Sequence, residues 1–346
     1  FSIDSQQWNF DPKRYEKLTK FTGLKNLGAT CYLNSTIQQL YMNDTFKNQI
    51  MNLEIPNEEI PSTINNSLTD LCEESKKSLE KNWKWISELK ELFARLENTK
   101  MPFISTREFC SNFIFNDNQP INTREQQDAS EFYQALLDKL PKEVSQCYTG
   151  KFINIIQADP DSPTVILENG EKIQFRNETY ESFSLIQVDV KGFKNLESSI
   201  RRYFEGCDLS YTVEEYKRKI DTKRFARIEE APQFFVIQLK RFEYDVRTWN
   251  RYKVNDEFEF PFTLNISEIM HHADDDLSQY DYELTGIIIH DGHVEGGHYY
   301  SLIKSKESLT EWLAFNDTLV EEISLEELKL LSFGSNTTNA NYFGPS

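Results

Sequence analysis

Positive charge is in short supply here: 38 Lys and Arg stand against 56 Asp and Glu in 346 residues, a net charge of −18. Phosphate binding needs a basic footprint, so nucleic acid is not expected as a ligand. Two readings of the acidity stay open. It attracts a basic partner or basic peptide by steering, or it only keeps the protein soluble. Long apolar runs are missing as well. No stretch reaches the roughly 18 consecutive apolar residues that a membrane-spanning helix needs, so no membrane association is expected. Cysteine is sparse: Cys31, Cys72, Cys110, Cys147 and Cys207 are odd in number and widely scattered. They form neither a disulfide framework nor a C-x-x-C metal knuckle. The chain therefore reads as belonging to a reducing compartment, cytoplasmic and also nuclear, where a working thiol survives. The opening FSIDSQQWNF lacks an initiator Met, a basic stretch and an apolar leader, and reads as part of a longer chain.

Core material is plentiful. Hydrophobic residues make up 38% and aromatics 13%, with 25 Phe and 16 Tyr, which excludes wholesale disorder. The length suits two ordinary domains or one large domain with insertions. Apolar residues at Leu33, Ile37, Leu40 and Tyr41 predict a helix with one apolar stripe. Residues 50–82 are polar and read as a surface insertion. WKWISELKELFARL (83–96) and REQQDASEFYQALLDKL (124–140) predict two more helices. After Pro141 the texture turns to short β-branched runs separated by turn residues, interrupted by a helical LESSIRRYFEG. Helices first and sheet afterwards give an α+β architecture.

The chemistry centres on GLKNLGATCYLNSTIQQLY (23–41), where a thiol sits at the turn-over from loop to helix. At a helix N-terminus the dipole favours thiolate over thiol, and the preceding loop supplies N–H donors. Asn26 could aim its amide at a developing oxyanion. A buried structural cysteine is the competing reading. A base must come from five histidines. His271 and His272 lie in an acidic loop and read as a solvated pair or, less simply, as metal ligands. His298 follows Gly296 and Gly297 at the opening of a strand, a position suited to a base or to a structural histidine. Asn316 and Asp317 end the next strand. If the two strands pair antiparallel, that end lies beside His298, where a group orienting the ring belongs; an ordinary turn is the alternative.

Taken together, GLKNLGATCYLNSTIQQLY, QQDASEF, VIQLKRFEYD, FEFPFTL and GGHYYSLIKSKESLTEWLAFNDTLV resemble, in order, the successive boxes of the ubiquitin-specific protease catalytic domain, across roughly 21–320. The resemblance implies a papain-like cysteine isopeptidase of thumb–palm–fingers architecture: flank at 1–20, thumb about 21–140, fingers about 150–220, palm about 221–330, the domain running to 346. It implies Cys31 as nucleophile, His298 as base, Asn316 as third member, Asp317 in the same network and Asn26 at the oxyanion. Ubiquitin and its conjugates are the implied partners, with the tail groove at Gln127, Asp128, Phe242, Tyr244, His290 and Tyr299. A ubiquitin-binding module without activity, or a protease for a ubiquitin-like modifier, are the rival readings. Two departures stand out. Many relatives carry zinc on two C-x-x-C pairs at the fingertips; here EKIQFRNETY has no cysteine, and Val213 and Tyr216 occupy the second pair's places. No metal and no cofactor are expected, and apolar packing must hold the fingers. The family domain also usually ends in an apolar, Tyr-rich strand; with NTTNANYFGPS at the end, that strand is expected to be absent, displaced or cut off.

Overall fold

The spacing at Leu33, Ile37 and Leu40 does give a helix, α1 (Cys31–Tyr41), but burial does not stop at one stripe. Asn34, Ser35, Thr36 and Gln38 are buried too. These polar residues tolerate the interior because each finds a partner. Gln38 Nε2 donates to the Thr22 carbonyl at 2.9 Å, and the Ser35 and Thr36 hydroxyls return to the Tyr32 carbonyl at 3.0 and 2.8 Å. The helix is thus enclosed, with helices on one side and a sheet on the other. The computed structural model describes residues 19–55, 73–115, 118–159, 165–166, 172–213, 218–274, 276–294, 296–305 and 310–334. Most of the expected N-terminal flank, the middle of the expected insertion (56–72) and the terminal NTTNANYFGPS lie outside the described residues.

On the helical side, α2 (Asp44–Asn52) and α5 (Ala129–Lys139) pack on α1, while α3 (Glu73–Asn98) packs on α2 and on α4 (Arg107–Asn112). The last ten residues of the expected insertion, 73–82, are helical, forming the N-terminal part of α3. Helix α5 begins five residues later than the periodicity at 124–140 predicts. Asp128 stops it, since its carboxylate accepts from Ser130 N at 2.7 Å and Glu131 N at 3.4 Å as an N-cap. Rings fill the space between these helices. Phe132 has no exposed surface and meets Tyr32, Phe113 and Phe115 edge-on, with centroids 5.6, 5.6 and 5.9 Å away. Phe132→Ala is expected to lower unfolding stability by about 3–5 kcal/mol, through lost burial plus a cavity bounded by rings. Urea denaturation checks this, and a change below about 1 kcal/mol contradicts it.

Beyond Pro141 the chain makes one short helical turn and then strands. Gly150–Ala158, Arg176–Phe183, Cys207–Val213 and Arg218–Glu230 form an antiparallel sheet, with Gly150–Ala158 and Arg218–Glu230 central. Leu196–Glu205 is helical, as expected. At the far end of the sheet Ala158, Val213 and Ile220 are buried together, and Phe175 stacks on Tyr211 at 5.4 Å. These contacts hold that end of the sheet; Tyr216 lies outside the described residues. His271 is half-buried, while His272 is exposed. The Nδ1 of His271 lies 2.8 Å from Glu229 Oε2, and its backbone N donates to Ile228 O, also at 2.8 Å, docking the loop on the long strand.

The second sheet runs in chain order, all antiparallel: Gly286–His293, Gly296–Lys304, Trp312–Asn316, Leu319–Glu322. The register Ser301↔Phe315 is the pairing expected between HYYSLIK and EWLAF, and it brings Asn316 level with the start of the His298 strand. Helix α1 is stitched to this sheet. Gln39 Nε2 donates to Ile287 O and Leu302 O at 3.0 and 3.2 Å, and Ser301 Oγ donates to Ser35 O at 2.8 Å. A helix, Leu325–Ser332, capped by a reciprocal Ser324–Glu327 box, follows the sheet.

Candidate active site

Cys31 is the first residue of α1 and is buried. Thr30 stands at the N-cap but makes no side-chain cap. Its hydroxyl accepts from Leu27 N at 2.9 Å and points back toward Asn26. The orphan N–H groups of the first turn are therefore not consumed by a capping side chain. The loop before the cysteine is tight because Gly28 adopts φ +137° and a Cβ there would strike the Thr123 carbonyl. Ala29 N donates to that same carbonyl at 2.7 Å.

Across from the sulfur, His298 Nε2 lies 2.6 Å from Asn316 Oδ1. This leaves Nδ1 free to face Cys31, the largest upward influence on the ring. Burial opposes it, Asn316 and the Asp317 charge add to it, and the imidazole is pushed up from 6.5 to about 9. The ring is thus an imidazolium at neutral pH, facing a sulfur. The sign follows directly. A raised folded-state value contributes stability that is complete below about 6.5 and is lost as pH rises through about 9. The alkaline limb of kcat/KM on a thiol-dependent substrate is expected near pH 9, and a limb near 6.5 would show that the ring does not hold its proton.

Asp317 is the hub of the site. It is buried at φ +49°. Its Oδ2 accepts from Asn26 Nδ2 at 2.9 Å, its Oδ1 from Asn34 Nδ2 at 2.8 Å, and its carbonyl from Leu24 N at 2.7 Å. Oδ2 also lies 3.8 Å from His298 Nε2. One carboxylate thereby locks the cysteine loop, the cysteine helix and the histidine strand. Asn26, expected to aim its amide at the sulfur's reaction zone, commits one Nδ2 hydrogen to Asp317, while Oδ1 accepts from Gly28 N and Thr30 N at 2.9 and 3.1 Å. The second Nδ2 hydrogen is what the site has left to offer from that side chain. Sequence reasoning missed Asn34. Its signal is position: three residues after Cys31, a polar residue on a helix that is otherwise enclosed.

Of the residues expected in the groove, Asp128, Phe242, His290 and Tyr299 line one cleft. The His290 ring stands edge-on to Phe242 and Tyr299 at 5.0 and 4.7 Å. Burial and the nearby Lys253 charge push it down to about 4, so it is neutral at physiological pH. Lys253 Nζ donates to the His290 and Gly292 carbonyls at 2.7 and 3.2 Å. Tyr244 does not join the cleft. It is exposed on the hairpin Phe242–Asp245/Asn250–Lys253, paired edge-on with Trp249; two residues along, it shares the face of Phe242 but lies nearer the hairpin turn, beyond the cleft. Gln127 is half-buried before α5. Its neighbour Gln126, absent from the expected set, reaches the histidine strand at Gly297. Among the described residues no group of His, Cys, Asp and Glu is placed to hold a metal ion.

The chain matches the family model described as ubiquitin carboxyl-terminal hydrolase over residues 22–342. It is 28% identical over 393 residues to the probable ubiquitin carboxyl-terminal hydrolase FAF of Drosophila melanogaster, covering 97% of this chain and 14% of that protein. It is 30% identical over 397 residues to ubiquitin carboxyl-terminal hydrolase 9X of Mus musculus, covering 95% and 15%. With ubiquitin carboxyl-terminal hydrolase 15 of Schizosaccharomyces pombe it shares 27% over 323 residues, covering 92% and 26%. The chain thus spans between a seventh and about a quarter of the length of these relatives.

Proposed function

Since the chain belongs to the ubiquitin carboxyl-terminal hydrolase family, we propose that it cleaves the bond after the C-terminal glycine of ubiquitin, with Cys31, His298 and Asn316 as its catalytic line. The observation that carries this reading is the His298 ring, held by Asn316 at 2.6 Å on one nitrogen, with Cys31 its largest upward influence. Cys31 thiolate attacks the glycine carbonyl carbon. Its oxygen takes up charge against the first-turn N–H groups of α1 and the remaining Asn26 amide hydrogen. The His298 proton passes to the departing lysine amine, the C–N bond breaks, and a thioester remains. Water then gives a proton back to His298 and attacks the thioester, releasing the ubiquitin carboxylate and restoring the ion pair. A neutral Asn316 suffices as orienter, because the thiolate itself balances the imidazolium.

The substrate tail runs along Asp128, Phe242, His290 and Tyr299, with Gln127 at its edge. The rings there leave room for glycine and reject side chains. In this reading the helical half is the thumb, the sheet carrying His298 the palm, and the sheet built on Gly150–Ala158 the fingers on which ubiquitin rests. Ubiquitin conjugates in the cytoplasm or nucleus are the substrates, and no cofactor takes part. Ubiquitin bearing a C-terminal electrophile tests the reading. Covalent capture at Cys31, mapped by peptide mass, is the expected result. Binding without capture makes the chain a recognition module, and capture by a ubiquitin-like modifier alone changes the substrate.

A further inference from the structure

Residues 122–128, the loop that leads into α5, touch both halves of the site. At one end the Thr123 carbonyl receives Ala29 N at 2.7 Å, two residues before Cys31. Three residues on, Gln126 reaches the segment that carries the base. Its Nε2 donates to the Gly297 carbonyl at 2.8 Å and its Oε1 accepts from Gly297 N at 3.3 Å. This double bond to one residue is the pattern a neighbouring strand would make. A neighbour is needed there. The strand Gly296–Lys304 is paired along one edge with Gly286–His293 throughout, but its other edge meets Trp312–Asn316 only from Ser301 onward. His298 lies on the part without a strand on that side. Gly297 also cannot be held by a side chain of its own, since a Cβ would run into the His290 ring and the Asp291 carbonyl. Its peptide is fixed through main-chain groups instead.

We infer that Gln126 is a positioning residue that sets the separation of Cys31 and His298. It completes the open edge of the histidine strand and ties it to the loop that buttresses the cysteine turn. The inference rests on the proposed catalytic line. Releasing Gly297 lets the strand end drift, and displacements of about 1 Å at a reacting pair can cost on the order of a hundredfold in rate. It also weakens the contacts through which Cys31 and Asn316 keep the ring protonated.

The test uses Gln126→Ala together with Gln126→Glu. The second keeps the size and the acceptor for Gly297 N but loses the donor to the Gly297 carbonyl. Two readouts are taken. On a ubiquitin C-terminal reporter, both variants are expected to lower kcat by about tenfold to a hundredfold, with KM within about threefold of the parent. In the absence of ubiquitin, the pH dependence of Cys31 alkylation by iodoacetamide is followed by peptide mass. The upper inflection, where His298 gives up its proton, is expected to move down by roughly one pH unit. A loss of kcat with the inflection unmoved reduces Gln126 to a structural contact and overturns the inference, as do parental values in both readouts. Alkylation reports on the pair whatever the substrate is, so an inactive parent with a shifted inflection in the variants would sink the proposed reaction while leaving the positioning role standing.

Discussion

Replacing Cys31 with alanine is expected to lower kcat on a ubiquitin C-terminal reporter by about 10⁴-fold or more. Loss of the nucleophile removes the covalent route altogether, and the N–H groups of the α1 turn cannot substitute for a sulfur. The fold should survive. Alanine is a strong helix former, and at the first position of α1 it removes one buried atom for a stability change of about 1 kcal/mol. His298 loses the neighbour that contributes most to its raised value, so the variant's ring should titrate lower. Ubiquitin binding is expected to remain, since Asp128, Phe242, His290 and Tyr299 line a cleft that the thiol does not form. Reporter kinetics beside ubiquitin titration by calorimetry separate the two effects. Turnover within tenfold of the parent would take Cys31 out of the reaction.

Asp317→Ala is expected to have the next largest effect, on stability and rate together. It leaves the half-buried amide of Asn26 and the buried amide of Asn34 without their carboxylate acceptor, each loss worth up to about 1–3 kcal/mol. It also puts a β-carbon residue with no polar side chain at φ +49°. An unfolding loss of about 3 kcal/mol or more and a kcat loss of about 10²–10³-fold are expected. Asp317→Asn separates the causes. Asn tolerates the left-handed backbone and retains one acceptor, so most stability should return. The negative charge 3.8 Å from His298 Nε2 is gone, however, and the alkaline limb should fall below about 9. Thermal unfolding and pH–rate profiles read these independently. A variant with the parent's limb and the parent's melting temperature would show that Asp317 neither charges nor braces the site.

Much of this site was legible in one dimension because its parts are local. Cys31 sits where a glycine-rich loop becomes a helix, and both the loop and the helix are written in adjacent residues. His298 and Asn316 lie 18 residues apart on strands whose alternation and turn residues predict their pairing. Other features were not legible. Asn34 and Gln38 look like polar interruptions of an apolar helix until the sheet closes over it and their amides find acceptors. Asn26 looks like a free oxyanion donor until Asp317, 291 residues away, takes one of its hydrogens. Gln126 and Gln127 are indistinguishable as letters, and only the approach of Gly297 separates them. Tyr244 and Phe242 share one face of a strand, and only the fold shows that the cleft ends before the hairpin turn that Tyr244 approaches.

The amino-acid sequence by itself determined the α+β order, the helix that presents Cys31, the hairpin that presents His298, and the family. All of these follow from local periodicity, turn chemistry and ordered motifs. The tertiary structure decided which polar groups share a proton or a hydrogen, and which aromatic faces the cleft. The physical reason is reach: a hydrogen bond ends within about 3.5 Å, so partners hundreds of residues apart become chemistry only once the fold has brought them together.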